Sequence, residues 1–334
     1  MSDVLVANTH IAPSEGRKET LVRTTDLVRD FDLGRKPEGG RLVLRAVDNV
    51  NLSIQRGETL GLVGESGSGK STIGRMLVGL LPQSSGTVEL FGQKMEPHAK
   101  PSAWKPLRRR VQFIFQDPHA ALNPRMRVGT AIAEPLDVAG GYNRAERQAR
   151  IDELMELVGL PSSFARRFPH EFSGGQRQRI VIARALALNP EILVCDEAVA
   201  SLDVSMQAQI VNLLKDLQEQ LGLSYLFIAH DLAVVRAVSH RVAVLYAGRV
   251  IEMGPRTALY SEPLHPYSRA LLDSVPRARR GVSRPVLTGE VPSLLNKPKG
   301  CAFCPRCPKA IDICRDVSPP LRVIGDREVA CHLY

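Results

Sequence analysis

No uninterrupted apolar segment of this 334-residue chain approaches the length needed to cross a bilayer, so an ordinary membrane-spanning subunit is excluded and a chain soluble by itself is expected. The opening residues, MSDVLVANTHIAPSEGRKE, lack a basic start followed by an apolar stretch. No secretory signal is read there, which places the chain in the cytoplasm. Long internal repeats and low-complexity segments are absent. Cysteine is almost missing from the first 300 residues, where Cys195 stands alone in an apolar run. The formal charge of +9 has two bearings, a phosphate-rich partner or a solvated basic surface. Its densest runs, Arg108 to Arg110 and Arg277 to Arg284, are short and without interleaved aromatics, so no nucleic-acid partner is expected.

What is present begins with an ordinary globular balance, 44% hydrophobic and 24% charged residues, in a chain long enough for one large domain plus an appendage. Residues 1–20 read as a polar tail. Leu21 to Phe31 and Arg41 to Ile54 alternate like strands around a Gly/Pro/charged loop and predict an antiparallel sheet. From Thr59 short apolar strands alternate with helical stretches, which indicates a parallel α/β core with strands at Thr59 to Val63, Val111 to Phe115, Ile192 to Cys195 and Leu223 to Ala229. A largely helical stretch, about 128–188, reads as a subdomain inserted in that core. Ala247-Gly248 between two apolar runs signals a hairpin. After Tyr260 the composition turns richer in Pro and Arg, and a boundary is set there.

Gly64-Glu65-Ser66-Gly67-Ser68-Gly69-Lys70-Ser71-Thr72 follows the strand TLGLV and precedes an apolar helix, the context a phosphate-binding loop requires. Glycines allow successive backbone N–H groups to face phosphate oxygens, and the helix N-terminus adds partial positive charge. Lys70 would reach the β and γ phosphates while Ser71 binds a magnesium ion. Ile192 to Glu197 supplies a buried strand that delivers two carboxylates at its C-terminal edge. Asp196 would hold magnesium through water, and Glu197 would take a proton from an attacking water.

Phe172-Ser173-Gly174-Gly175-Gln176-Arg177-Gln178-Arg179, placed before that Asp-Glu strand, closely resembles the signature of ATP-binding cassette (ABC) ATPases. Gln116 after VQFIF and His230 after LSYLFIA complete the family's order of motifs. FQDPHAALNPRM and HPYSRALL look like the branch serving oligopeptide and dipeptide importers. The resemblance, from about Leu21 to the C-terminus, implies a P-loop ABC cassette: a RecA-like parallel core, an N-terminal antiparallel β subdomain, an inserted helical subdomain and a small Cys-rich C-terminal domain. It implies a nucleotide-binding domain over 21–260 and a C-terminal region over 261–334. Two cassettes would sandwich ATP head to tail, with Ser173, Gly174, Gly175 and Gln176 on the partner's nucleotide and Asp203 communicating across the pair. Phe31 looks like the aromatic that stacks on adenine, and equally like a packing residue. His230 would position the γ-phosphate and water, and Gln116 would sense magnesium. The implied partners are a second, identical or homologous cassette, two transmembrane permease subunits and a substrate-binding protein, at the cytoplasmic face of the membrane. Peptide is the family default for cargo; nickel and sugars are carried by neighbouring branches. A soluble DNA-repair ATPase would usually carry a long coiled coil or a zinc-bearing insertion in the cassette, and neither is seen. One departure is visible: Ala198 stands where the family usually has proline, which puts the following turn's geometry in question.

Five cysteines crowd the C-terminus, at 301, 304, 307, 314 and 331. In a reducing compartment such crowding points to metal ligation rather than disulfides. By spacing, Cys301-x2-Cys304-x2-Cys307-Pro308 is ferredoxin-like, and four thiolates of the five would equally close a zinc site. The importer resemblance implies a [4Fe–4S] cluster on Cys301, Cys307, Cys314 and Cys331. Cys304 is then a substitute ligand or a free thiol.

Overall fold

The structure, a computed structural model, describes residues 19–35, 39–97, 99–274, 294–295 and 297–334. Most of the polar N-terminal tail and the Arg277 to Arg284 run lie outside the described residues. Strands β1 (Thr20–Arg35) and β2 (Arg41–Gln55) pair antiparallel, and with β4 (Ser85–Leu90) and β5 (Gln93–Met95) they form a sheet of order β2-β1-β4-β5. Among the described residues the second sheet has eight strands, in the order β11 (Arg322–Ile324), β12 (Arg327–Val329), β10 (Arg249–Pro255), β9 (Arg241–Tyr246), β3 (Thr59–Val63), β8 (Ser224–Ile228), β7 (Ile192–Asp196) and β6 (Val111–Ile114). Its parallel part is β3 (Thr59–Val63), β6 (Val111–Ile114), β7 (Ile192–Asp196), β8 (Ser224–Ile228) and β9 (Arg241–Tyr246). β10 (Arg249–Pro255) returns antiparallel on β9 through Ala247-Gly248, whose φ values of 47° and 84° suit the tight turn expected there.

Strand alternation divides the interior. Ile192, Val194, Leu226 and Ile228 face a core shared with the first sheet and Ile73 and Met76 of the helix Lys70–Leu77. Leu193, Cys195, Tyr225 and Phe227 face the opposite core, against the helices Gly174–Leu186 and Val204–Leu221. Gly61 in β3 is required by close packing: a Cβ there would lie 2.4 Å from Ser239 Oγ and 2.6 Å from Val235. The region expected to be helical holds Val128–Ala139, Arg144–Leu157 and Gly174–Leu186, the second opened by a capping box from Asn143 and Glu146.

The C-terminal region is joined to the cassette more intimately than a boundary at Tyr260 implies. Its strands β11 (Arg322–Ile324) and β12 (Arg327–Val329) extend the large sheet, β12 pairing with β10. Phe303 is 1% exposed and packs on Tyr246 and Tyr267 with ring centroids 5.4 Å away in each case. Lys297 ion-pairs with buried Asp48 of β2. A segment with few apolar residues thus borrows the larger domain's core. Among the described residues no helix is long and apolar enough to cross a membrane.

Candidate nucleotide-binding site

Sheet register brings the predicted catalytic side chains together. Leu62 of β3 and Asp196 of β7 both pair with Ile228 of β8, and Ile114 of β6 pairs with Cys195, so all four strands end at one edge. The phosphate loop leaves β3 there, Glu197 follows β7, His230 follows β8 and Gln116 follows β6. This is where parallel sheets place ligands.

In the loop, Gly64, Gly67 and Gly69 have φ of 151°, 76° and 107°, a region costly for any residue with a Cβ. A Cβ on Gly64 would meet Leu245 O at 2.2 Å, and one on Gly69 would meet Ala46 O at 2.4 Å. Ser66 is exposed, Ser68 is buried, and Lys70, Ser71 and Thr72 open the helix Lys70–Leu77. Lys70 is 5% exposed, and its Nζ donates to Gly64 O at 2.8 Å and Glu65 O at 2.9 Å. Burial lowers its pKa, opposed by the Glu197, Asp196 and Glu65 carboxylates. Ser71 Oγ donates to Asp196 Oδ1 at 2.7 Å. Burial pushes the Asp196 carboxyl up against the opposing pull of that hydrogen bond, so a cation placed here would favour the ionised form.

Glu197 accepts from Gln116 Nε2 at 2.7 Å, and His230 Nδ1 lies 3.7 Å from its other carboxylate oxygen. Its backbone has φ of 50°, strained for a residue with a side chain. A proline at 198 would restrict this residue; alanine does not. Hydrogen bonds hold it instead: Glu197 N donates to Ile228 O at 2.9 Å and Ala200 N donates to Glu197 O at 3.0 Å. Gln207 Nε2 bridges Val199 O and Leu202 O at 3.1 Å each. The turn therefore forms without proline.

The signature residues stand apart. Ser173 caps the helix Gly174–Leu186 by accepting from Gln176 N at 3.3 Å, and Gln176 Oε1 accepts from Ser173 N at 3.0 Å. Ser173 is exposed, while Gly175 is buried beneath Met206, where a Cβ would come within 3.1 Å of the sulfur. Asp203, also exposed, caps the helix Val204–Leu221 through Met206 N at 2.9 Å. Among the described residues no hydrogen bond or ion pair joins Ser173, Gly174, Gly175, Gln176 or Asp203 to the phosphate loop. Phe31, half-buried in β1 opposite Leu44, carries the Arg29 guanidinium 4.7 Å from its ring centroid.

All five C-terminal cysteines are free thiols and line one small cavity, with His265, Lys309 and His332. Burial pushes the Cys301 thiol up to about 11, and burial raises Cys307 and Cys331 as well. Among the described residues no group of three or more ligating side chains is set at metal-holding geometry. Two residues assigned no role from the sequence reach the phosphate loop: Tyr267 Oη accepts from Glu65 N at 2.9 Å, and Arg306 grips the Glu65 carboxylate. HPYSRALL, which carries Tyr267, reads in the sequence as a branch marker, and nothing local announces this destination.

The ABC transporter family profile matches residues 47–200, and the profile of the oligopeptide/dipeptide transporter C-terminal region matches 251–314. A Brucella abortus (strain 2308) protein, named with a provisional qualifier as a peptide import ATP-binding protein, is 86% identical over 334 residues, all of both chains. The chain belongs to the ABC transporter family. This ABC protein is also 50% identical over 324 residues to the oligopeptide transport ATP-binding protein AppF of Bacillus subtilis (strain 168), covering 95% of this chain and 98% of AppF. An ATP-binding cassette solved as a dimer in a post-hydrolysis state, bound to ADP and Pi, superposes with a TM-score of 0.63 at 30% identity, covering 71% of this chain and 99% of its own. The fold is that of a P-loop ABC ATPase cassette, and ATP hydrolysis is its activity.

Proposed function

We propose that this chain is the ATP-hydrolysing subunit that powers peptide import across the cytoplasmic membrane. The observation that carries the reading is the convergence of Lys70, the Ser71–Asp196 pair and the Gln116–Glu197 pair at one sheet edge, while the signature residues bond only at their own helix start. The names of the relatives supply the cargo class.

Backbone N–H groups of the loop through Thr72 cradle the phosphates, and Lys70 leaves its carbonyl acceptors to neutralise the β and γ oxygens. Ser71 and Gln116 would hold magnesium directly and Asp196 through water; the ion would neutralise charge developing on the phosphates. Glu197 takes the proton of the attacking water, and His230 orients that water and the γ-phosphate. Phe31 stacks on adenine. The signature residues Ser173, Gly174, Gly175 and Gln176, with Asp203, meet the nucleotide of a second cassette, where their N–H groups and helix dipole face γ-phosphate charge. His119, three residues after Gln116, lies with its ring against the guanidinium of Arg177 in the signature stretch. Occupancy at Gln116 is thereby relayed to the helical insert. The partners are a second cassette, two permeases and, through the complex, a substrate-binding protein, with the chain peripheral on the cytoplasmic face. The proposed divisions are a 1–20 tail, a 21–260 cassette and a 261–334 C-terminal region.

We further infer that Cys301, Cys307, Cys314 and Cys331 bind a metal, a [4Fe–4S] cluster or zinc, with Cys304 a substitute ligand or a free thiol. Their donor set and shared cavity support this reading, and ligation would offset the small core of the region. Iron, acid-labile sulfide and zinc measured per molecule after anaerobic purification decide between them. Function is tested by reconstituting the complex and asking whether a peptide-loaded binding protein stimulates ATP hydrolysis; stimulation only by a nickel- or sugar-loaded one would reject the peptide assignment.

A further inference from the structure

Arg306 sits on the cysteine-bearing turn between Cys304 and Cys307, yet its guanidinium turns away from the cavity that the thiols line. It enters the cassette with its side chain 5% exposed and meets the Glu65 carboxylate in a two-pronged pair, Nη1 to Oε2 at 2.9 Å and Nη2 to Oε1 at 3.0 Å. Its Nη1 also donates to Tyr246 Oη at 3.3 Å. Planar, bidentate pairing of this kind fixes direction as well as charge. Glu65 is held from a second side, because its backbone N–H donates to the hydroxyl of fully buried Tyr267 at 2.9 Å.

Glu65 occupies a position where a phosphate loop asks for no particular side chain. Its carbonyl oxygen, with that of Gly64, is the acceptor on which Lys70 rests. The N–H and carboxylate of one residue are thus gripped by the C-terminal region while its C=O holds the phosphate-binding lysine. A loop with Gly64, Gly67 and Gly69 at positive φ has little stiffness of its own. A clamp from outside reduces the ordering that nucleotide binding must otherwise impose.

We propose that Arg306 and Tyr267 are positioning residues of the phosphate loop, so that the cysteine-bearing region forms part of the nucleotide site. The turn presenting Arg306 is fixed by Cys304 N donating to Cys301 O at 3.0 Å, Cys307 N to Cys304 O at 3.2 Å and Cys301 N to Cys314 O at 2.8 Å. Phe303 anchors it among Tyr246, Tyr267 and His265. Displacing the turn therefore displaces the clamp.

The inference rests on reading Gly64 to Thr72 as the phosphate cradle. Its test is titration of the full chain with a fluorescent ATP analogue and magnesium, with hydrogen exchange over residues 64–72 and limited proteolysis of the C-terminal region. Arg306→Met and Glu65→Gln each weaken binding by about tenfold or more, as loss of a supporting group around a ligand site typically does. Arg306→Lys recovers part of the loss, and exchange across Gly64 to Gly69 rises in both single variants. Glu65→Gln, which breaks the pair from the cassette side, leaves the C-terminal cleavage pattern unchanged. The double variant binds no worse than the weaker single, since both remove one interaction. Affinities within about twofold of wild type in both singles, or losses that add in full, overturn the proposal. Lys70→Met serves as the separate control: binding indifferent to it would reject the cradle reading itself, whereas loss there with no effect at Arg306 or Glu65 rejects the clamp alone.

Discussion

Lys70, Ser71, Asp196, Glu197 and Gln116 are linked by hydrogen bonds to each other or to the loop that bears them, whereas Ser173, Gln176 and Asp203 bond only within their own helix starts. The first group is a nearly closed constellation, lacking only its ligand. The second is a pair of capped helix N-termini at which Ser173 and Asp203 are exposed. The difference shows that one chain holds two unlike half-sites. The phosphate-loop side chains are held by bonds to one another and to their loop, and the signature residues are held only by their own helix starts.

Substitutions in each half separate these roles. Glu197→Gln should lower ATP turnover of the assembled complex by about 10²–10⁴-fold, the usual contribution of a positioned proton acceptor, and leave nucleotide binding intact. Steady-state hydrolysis beside equilibrium binding checks it, and turnover within tenfold or so of wild type would remove Glu197 as the base. Ser173→Arg should cut turnover by about 10²–10³-fold, as removal of transition-state donors does, without altering binding to the isolated chain. A loss of binding in the isolated chain would instead place the signature on its own nucleotide and erase the distinction.

Two smaller effects probe how the phosphate-loop half is supported. Gln207→Leu removes both bonds that brace the Val199–Leu202 turn and should cost about 1–2 kcal/mol in urea unfolding. An unchanged midpoint would mean that the turn is held elsewhere. Asp48, 3% exposed, joins this half to the C-terminal region. Burial alone would push its carboxyl up, but the hydrogen bond from Arg249 and the charges of Lys297 and Arg249 bring it below its ordinary value. A depressed carboxylate stabilises the fold above its unfolded pKa, near 4, and that contribution disappears as pH falls through the lower folded value. Unfolding midpoints compared at pH 6 and near pH 3 should therefore fall less in Asp48→Asn than in wild type; equal slopes would show that the pair adds nothing.

Most of the phosphate-loop half was legible because its chemistry is written locally. Glycines, Lys70 and Ser71 follow a strand and open a helix, and two carboxylates end another strand; each piece needs only its neighbours to be recognised. The family resemblance then supplied Gln116 and His230, which spacing alone would not have selected. Legibility failed where residues act at long range. Pairing of β12 with β10 depends on backbone groups more than seventy positions apart, and three-residue strands carry almost no alternation to read. The turn after Glu197 looked uncertain from its alanine because the replacing constraint comes from Gln207, on the next helix.

The antiparallel β1–β2 pair, the strands of the parallel core, the phosphate loop, the carboxylate pair and the crowding of thiols were determined by the sequence itself, since each follows from local pattern and residue chemistry. Only the tertiary structure decided that Glu197 meets Gln116, that Phe303 lies among the aromatic rings of the cassette and that Arg306 closes on Glu65 across 241 positions. Such contacts arise from sheet register and shared burial, and those are properties of the folded chain rather than of any segment in it.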